Sequence, residues 1–283
     1  MAKVRVYLLA FIVTLTLLAS GAVEAGIIIP GSIRITDVTP LQFCVVWATV
    51  EPGSCSVNVY LDREGTVPYA DAEVISESAN HPPAQDIGVM KVRVGGLKPD
   101  TAYYFQTKSV SKRDGTVDLY PSSPSLIEVR TEMESIIVRN DVLVQKVTIG
   151  EKKPALGMLV LAAVANASYP VSGWVGDGVP VEWAAIDANN FYDSHRHKNL
   201  ELTGGEALRL TLFGGSLGVV ETQDSIPPES GGIQALKVAV SLPDSGSQKT
   251  PPAEPSKESG ASGGGGGSSC FIDTAAFHFP SWW

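Results

Sequence analysis

The chain has 283 residues, 30 acidic and 21 basic, for a formal charge of -9, and 44% of it is hydrophobic. That length leaves room for about two domains of ordinary size, each able to bury a core. The acidic balance, with no cluster of Lys or Arg, argues against a nucleic-acid partner and offers nothing to an anionic membrane surface.

In chain order, Lys3 and Arg5 precede an apolar run over 6–18, and small residues then lead to Val23-Glu24-Ala25. This is the layout of a secretory signal peptide over 1–25, with cleavage expected after Ala25. The run is short for a membrane span and is interrupted by Thr14 and Thr16; an uncleaved N-terminal anchor is the alternative. The stretch over 155–167 comes closest to a second span and reads as a buried strand. The chain is therefore expected to be exported, whether extracellular, at the cell surface or periplasmic, with no transmembrane segment beyond the leader.

Over 26–132, short β-rich runs alternate with Pro/Gly turns, as in all-β sandwiches. A first strand covers 33–36. Phe43, Val45, Trp47 and Thr49 then share one face of a second strand, closed by Glu51-Pro52-Gly53. Val57, Val59 and Leu61 mark a third strand, Met90, Val92 and Val94 a fourth, and 104–108 and 126–130 the last two. Cys44 and Cys55 each open a strand, so a reversal between the strands sets them roughly 20 Å apart at about 3.3 Å per residue. A disulfide needs Cα atoms within about 7 Å, which argues against a bridge. With Cys270, three Cys in all leave at least one without an internal partner.

Trp47 and the run Leu97-Lys98-Pro99-Asp100-Thr101-Ala102-Tyr103-Tyr104-Phe105 resemble the fibronectin type III family. In that family the L-x-P-x-T-x-Y-x-F order turns into the sixth strand, and the resemblance implies that Tyr103 forms a tyrosine corner, its hydroxyl bonded back to the backbone. The stretch over 47–53 resembles the variant that precedes catalytic domains in some secreted phosphatases.

Over 133–242 a second β-rich region follows with hardly any linker. Candidate strands cover 136–138, 142–149, 156–165, 179–186 and 236–242, and a hairpin is expected from 200–203 and 208–212 around Gly204-Gly205. The strand count suits a second, immunoglobulin-like sandwich. The fold class expected is thus all-β, two β-sandwich domains, with a disordered tether behind them.

That tether covers 243–269, which is Ser, Gly, Pro, Lys and Glu with almost no apolar residue to bury. The segment over 270–283 opens Cys270-Phe271-Ile272-Asp273-Thr274-Ala275-Ala276 and resembles the CFI box, a C-terminal motif of exported bacterial proteins. Asp273 departs from that pattern, and the copy stops short. The resemblance implies surface delivery or attachment, with Cys270 the residue able to form a covalent bond; a decayed tail with an incidental Cys is the other reading.

Hydrolytic chemistry finds little footing. A two-metal phosphatase needs clustered Asp, His and Asn ligands, and only His195-Arg196-His197 sets two imidazoles close together. On a strand they would share a face; in a solvated loop, beside Arg196 and Lys198, they would repel a cation. His81, before Pro82-Pro83, reads as a surface loop. Gly173 to Gly178 reads as two tight turns beside a packed Trp174, and Trp183 reads as core rather than as a sugar platform. No cofactor, metal or catalytic residue is expected. The function expected is that of an exported structural or adhesive protein, not an enzyme, binding another protein or a polysaccharide. The alternative is an accessory or remnant module of a secreted hydrolase such as a metallophosphatase.

Overall fold

A computed structural model describes residues 26–29, 31–122, 125–133, 142–149, 153–177, 181–193, 195–226 and 234–236. The leader, the tether, the segment carrying Cys270 and the expected strand over 136–138 lie outside those residues. The fold is all-β. Among the described residues no helix is long and apolar enough to cross a membrane.

Eight strands form the first sandwich: β1 (Arg34–Thr36), β2 (Phe43–Ala48), β3 (Gly53–Tyr60), β4 (Glu73–Ser76), β5 (Val89–Gly95), β6 (Ala102–Ser111), β7 (Val117–Tyr120) and β8 (Ile127–Arg130). One sheet has the order β1-β2-β5-β4; the other is β3-β6-β7, with β8 also pairing β6. Alternation along β2, β3, β5 and β6 sends Phe43, Val45, Trp47, Val57, Val59, Met90, Val92 and Phe105 into a shared core between the sheets. Trp47 is fully buried, and its indole Nε1 donates to Ser109 Oγ at 2.8 Å, which satisfies the one polar atom it carries inside. Cys44 and Cys55 are buried free thiols on strands of different sheets. Leu61, expected to continue the third strand, lies beyond the end of β3 and is 46% exposed.

The second sandwich holds β9 (Val142–Lys146), β10 (Thr148–Ile149), β11 (Lys153–Pro154), β12 (Leu159–Val164), β13 (Val171–Trp174), β14 (Trp183–Asp187), β15 (Tyr192–Asp193), β16 (Lys198–Asn199), β17 (Ala207–Phe213), β18 (Val219–Ser225) and β19 (Gln234–Leu236). Its two larger sheets are β13-β12-β17-β18 and β14-β9-β19. The pairing of β19 with β9 is parallel.

The hairpin expected between 200–203 and 208–212 does not form. Both edges of β17 are taken, by β12 on one side and by β18 on the other. Residues 200–203 instead cross as a loop that packs Leu202 inward, and the Glu206 carboxylate accepts from the Thr203 and Gly204 amides. Gly173 and Trp174 likewise belong to β13 rather than to turns: a Cβ on Gly173 would strike the Ala185 carbonyl, so glycine lets the two sheets approach there. Trp183 is half-buried and Val181 is exposed; on β14 the inward positions are Ala184 and Ile186, the opposite phase to the one expected.

The two sandwiches are joined face to face. Val46 and Ala48 on β2, Val89 on β5, and Ala84 in the short helix Pro82–Asp86 pack against Leu159 and Leu161 on β12, Trp174 on β13 and Phe213 on β17. Strands β2 and β12 are thus apolar on both sides: Phe43, Val45 and Trp47 face one core and Val46 and Ala48 the interface, while Val160, Ala162 and Val164 face the other core. The result is a stack of four β-layers.

Polar contacts pin this interface. The Asp37 amide donates to the Pro170 carbonyl at 3.0 Å, and the Asp37 carboxylate accepts from the Ser172 amide at 2.8 Å and from the Ser172 hydroxyl. Lys91, 6% exposed, sets its Nζ 3.0 Å from Glu77 and 3.5 Å from Asp37. Burial pulls the Lys91 ammonium down, but the two carboxylates more than offset it and hold its pKa above the ordinary lysine value. Ser216 donates through both its amide and its hydroxyl to the Ile87 carbonyl, at 2.8 and 2.9 Å. His81 is part of the junction rather than a surface loop: its ring stacks on Trp174 at 4.3 Å, and Nε2 lies 3.4 Å from Asp177.

Candidate functional site

The joint of two rigid bodies encloses space wherever their surfaces diverge, and here it leaves a cleft of about 960 Å³. The first sandwich supplies one wall through β1 (Ile33, Arg34, Ile35), the end of β7 (Tyr120), β8 (Ile127, Glu128, Arg130) and the chain that follows it (Thr131, Glu132, Met133). The second supplies the other through the turn over 166–169, Tyr192 on β15, and His195 and His197.

Among the described residues β1 is the edge of its sheet and β8 pairs with β6 alone, so both bring a strand edge to the cleft. These edges are largely occupied. Arg34 turns its guanidinium back onto the Gly31 and Ile33 carbonyls, each at 2.8 Å. Tyr169, packed against the first core, hydrogen-bonds the Arg130 backbone. The Met133 amide donates to the Tyr192 hydroxyl at 3.3 Å. Two tyrosines of the second sandwich thereby fasten the chain leaving the first.

Glu132 sits between them. It is 8% exposed and lines the cleft, and burial pushes its pKa up to about 9, so the group is uncharged at neutral pH. On the rim, Arg130 Nε donates to Asp100 Oδ1 at 2.8 Å, and that bond holds the Asp100 carboxyl below its usual range. Tyr120, 37% exposed, also lines the cleft.

The residues singled out from sequence fall elsewhere. Tyr103 is fully buried, and its hydroxyl accepts from the Lys98 amide at 3.0 Å, five residues upstream. Leu97 is buried beside it, and the Pro99 carbonyl accepts from the Thr101 hydroxyl at 2.8 Å. With Trp47, these residues build the first sandwich and do not reach the cleft. His195 and His197 stand at its edge, in a tight turn between β15 and β16 rather than on a strand: Asp193 Oδ1 accepts from the His195 and Arg196 amides at 2.9 and 3.1 Å, and His197 has φ +52°. Among the described residues no three of His, Cys, Asp and Glu gather to hold a metal ion. Sequence reasoning missed Glu132, Tyr169 and Tyr192 because they sit in no motif. The one available signal was Glu132 itself, an acid after the alternating run 126–130, where a chain entering solvent would leave it ionised.

No protein-family model matches this chain, and no curated protein does. Among solved structures it is similar to a purple acid phosphatase from yellow lupin (Lupinus luteus), at 14% identity and a TM-score of 0.27, over 46% of this chain and 24% of that one. The chain spans about a quarter of that phosphatase's length. A chimeric titin Z1Z2 carrying a decorin peptide matches at 9% identity and a TM-score of 0.22, over 77% of this chain and 99% of that one.

Proposed function

We propose that this chain is an exported structural or adhesive protein, without catalytic activity of its own, that binds another protein or a polysaccharide in the cleft between its two sandwiches. We further propose that the first sandwich is fibronectin type III-like and the second immunoglobulin-like, and that the C-terminal segment holds the protein at the cell surface through Cys270. The observation that carries the binding role is that both sandwiches wall one cleft of about 960 Å³ while a buried apolar interface, with Asp37 hydrogen-bonded to Ser172 across it, fixes those walls. Pre-formed concave sites of this size occur preferentially at interfaces between domains.

The test is binding of purified residues 26–283, wild type against Met133→Arg, to immobilised polysaccharides and to a pool of extended twelve-residue peptides. Met133 lines the cleft at 40% exposure, so the arginine adds bulk there without entering a core. Saturable binding to one class of probe, weakened at least tenfold by Met133→Arg at unchanged unfolding midpoint, is expected. Binding that ignores the substitution would overturn the assignment.

A further inference from the structure

Asp37 follows β1 directly, Lys91 lies on β5, and β2 runs between those two strands in the sheet. Their side chains meet across it: Lys91 Nζ lies 3.5 Å from Asp37 Oδ2 and 3.0 Å from Glu77 Oε2, and both Lys91 and Asp37 are buried. An amine and a carboxyl held together away from water are the two halves of an amide. Confinement in one fold removes the entropy cost of bringing them together.

The surrounding groups suit that condensation. Asp37 Oδ1 accepts from the Ser172 amide at 2.8 Å, a fixed donor at the oxygen where negative charge gathers when Cγ is attacked. Oδ2 accepts from the Thr36 hydroxyl at 2.8 Å and from the Ser172 hydroxyl, so the oxygen that would leave already sits among proton donors. Arg93 Nε lies 3.3 Å from Glu77 Oε1, which leaves Oε2 beside the lysine nitrogen as a proton acceptor. A buried pair of opposite charges is also expensive to keep out of water, and joining the two leaves one neutral amide.

We propose that Lys91 and Asp37 condense within the folded chain to an isopeptide bond between Nζ and Cγ, with Glu77 as the proton carrier. The neighbouring carboxylates hold Lys91 charged in the unreacted fold, so the reaction begins with a proton moving inside the cluster. One ammonium proton passes to Asp37 Oδ2, directly or through Glu77, and leaves an amine beside a carboxylic acid. The nitrogen lone pair forms the bond to Cγ, and an electron pair of the C=O bond moves onto Oδ1, under the Ser172 amide. A second nitrogen proton travels through Glu77 to Oδ2, the Cγ–Oδ2 bond breaks, and the carbonyl re-forms at Oδ1. Of the three ammonium protons, one stays on the amide nitrogen and two leave with Oδ2 as water; Glu77 ends as it began. No oxidant or other reactant enters. The product closes the chain between 37 and 91 into a loop, constraining the unfolded state as a disulfide does, and it cannot be undone by reduction.

Intact-mass spectrometry of purified residues 26–283 tests the proposal. The expected mass is that of the sequence less one water, and fragmentation of a peptic digest is expected to show a branched peptide joined at Asp37 and Lys91. Lys91→Arg, whose guanidinium keeps the charge without being a nucleophile, and Asp37→Ala are each expected to show the full sequence mass. Glu77→Gln is expected to lower the linked fraction at least tenfold. Wild-type protein at its full sequence mass, or a water loss that maps to any other pair of residues, overturns the bond. That readout needs only the wild type, so a variant that fails to fold does not obscure it. Undiminished linkage in Glu77→Gln overturns the role given to Glu77.

Discussion

Lys91 shows how one side chain can decide the character of an interface. Its ammonium lies almost wholly out of water within 3.5 Å of both Glu77 and Asp37, and Asp37 in turn holds Ser172 of the second sandwich. Removing one member of a buried ion network leaves the others unpaired and costs about 3 kcal/mol or more, whereas replacing the whole network by apolar side chains of similar size can be nearly neutral. Asp37→Ala and Lys91→Met are therefore each expected to lower the unfolding free energy by about 3 kcal/mol in a urea titration, since each leaves a buried charge of the network unpaired; a negligible loss for either would sink this account. Glu132 makes a prediction in pH. An ordinary glutamate loses its proton near 4.5, while in the fold this one keeps it to about 9. Below the lower value both states are protonated and burial carries no ionisation cost. Between the two values the unfolded chain releases a proton that the folded chain retains, so stability falls as pH rises, by about 1.4 kcal/mol per unit for a single linked proton. Glu132→Gln removes this slope. Unfolding free energies at pH 5 and pH 8 should differ less in the variant than in the wild type, and an unchanged difference would count against a neutral Glu132.

At the scale of elements, the approach of the two sandwiches depends on residues without side chains. Gly157 has φ +79°, and a Cβ there would lie 2.5 Å from the Ala84 nitrogen in the other sandwich. Gly157→Ala adds both a left-handed backbone penalty and a steric wedge, for an expected loss of about 2 kcal/mol, whereas Gly205→Ala, at φ +87° with open space around it, incurs the backbone penalty alone. A smaller loss at 157 than at 205 would contradict the wedge. The same elements show what was legible beforehand. Strands that alternate cleanly and bury one face, such as β3 and β6, could be read from their period. Strands β4 and β7 could not, because they are short edges with exposed Val74, Ile75, Val117 and Leu119 and so carry no buried stripe. The hairpin at 200–212 was misread because Leu200 and Leu202 meet the core from a loop, where an apolar pair looks the same as one arm of a strand. For β2 a clue was present and unused: FCVVWA has no polar residue on its second face, which is how a strand buried on both sides is written. The cleft was illegible because its walls come from separate stretches of the chain, 31–133 and 166–197, and no local pattern records such a meeting.

For the whole molecule, the shared apolar layer and the Lys91 network make the sandwiches one cooperative body rather than beads on a string. Interfaces between domains in a chain are commonly small and polar and permit relative motion; this one places Trp174, Phe213, Leu159 and Val46 in a common core. Calorimetry of residues 26–283 is accordingly expected to show a single unfolding transition whose calorimetric and van't Hoff enthalpies agree, and two separable transitions would refute the coupling. The role proposed for Cys270 is checked by fractionating cells that express the wild type or Cys270→Ser. Release of the variant into the medium, with the wild type retained, is the outcome that supports attachment, and an identical distribution ends it.

The parallel register of β19 on β9 has a mechanical consequence. Because the two strands run the same way, a pull on the chain beyond Leu236, resisted through the chain that enters β9, drags them past one another along their length. The hydrogen bonds between them are then loaded together in shear instead of being peeled open one by one, the arrangement that makes a short seam hardest to tear.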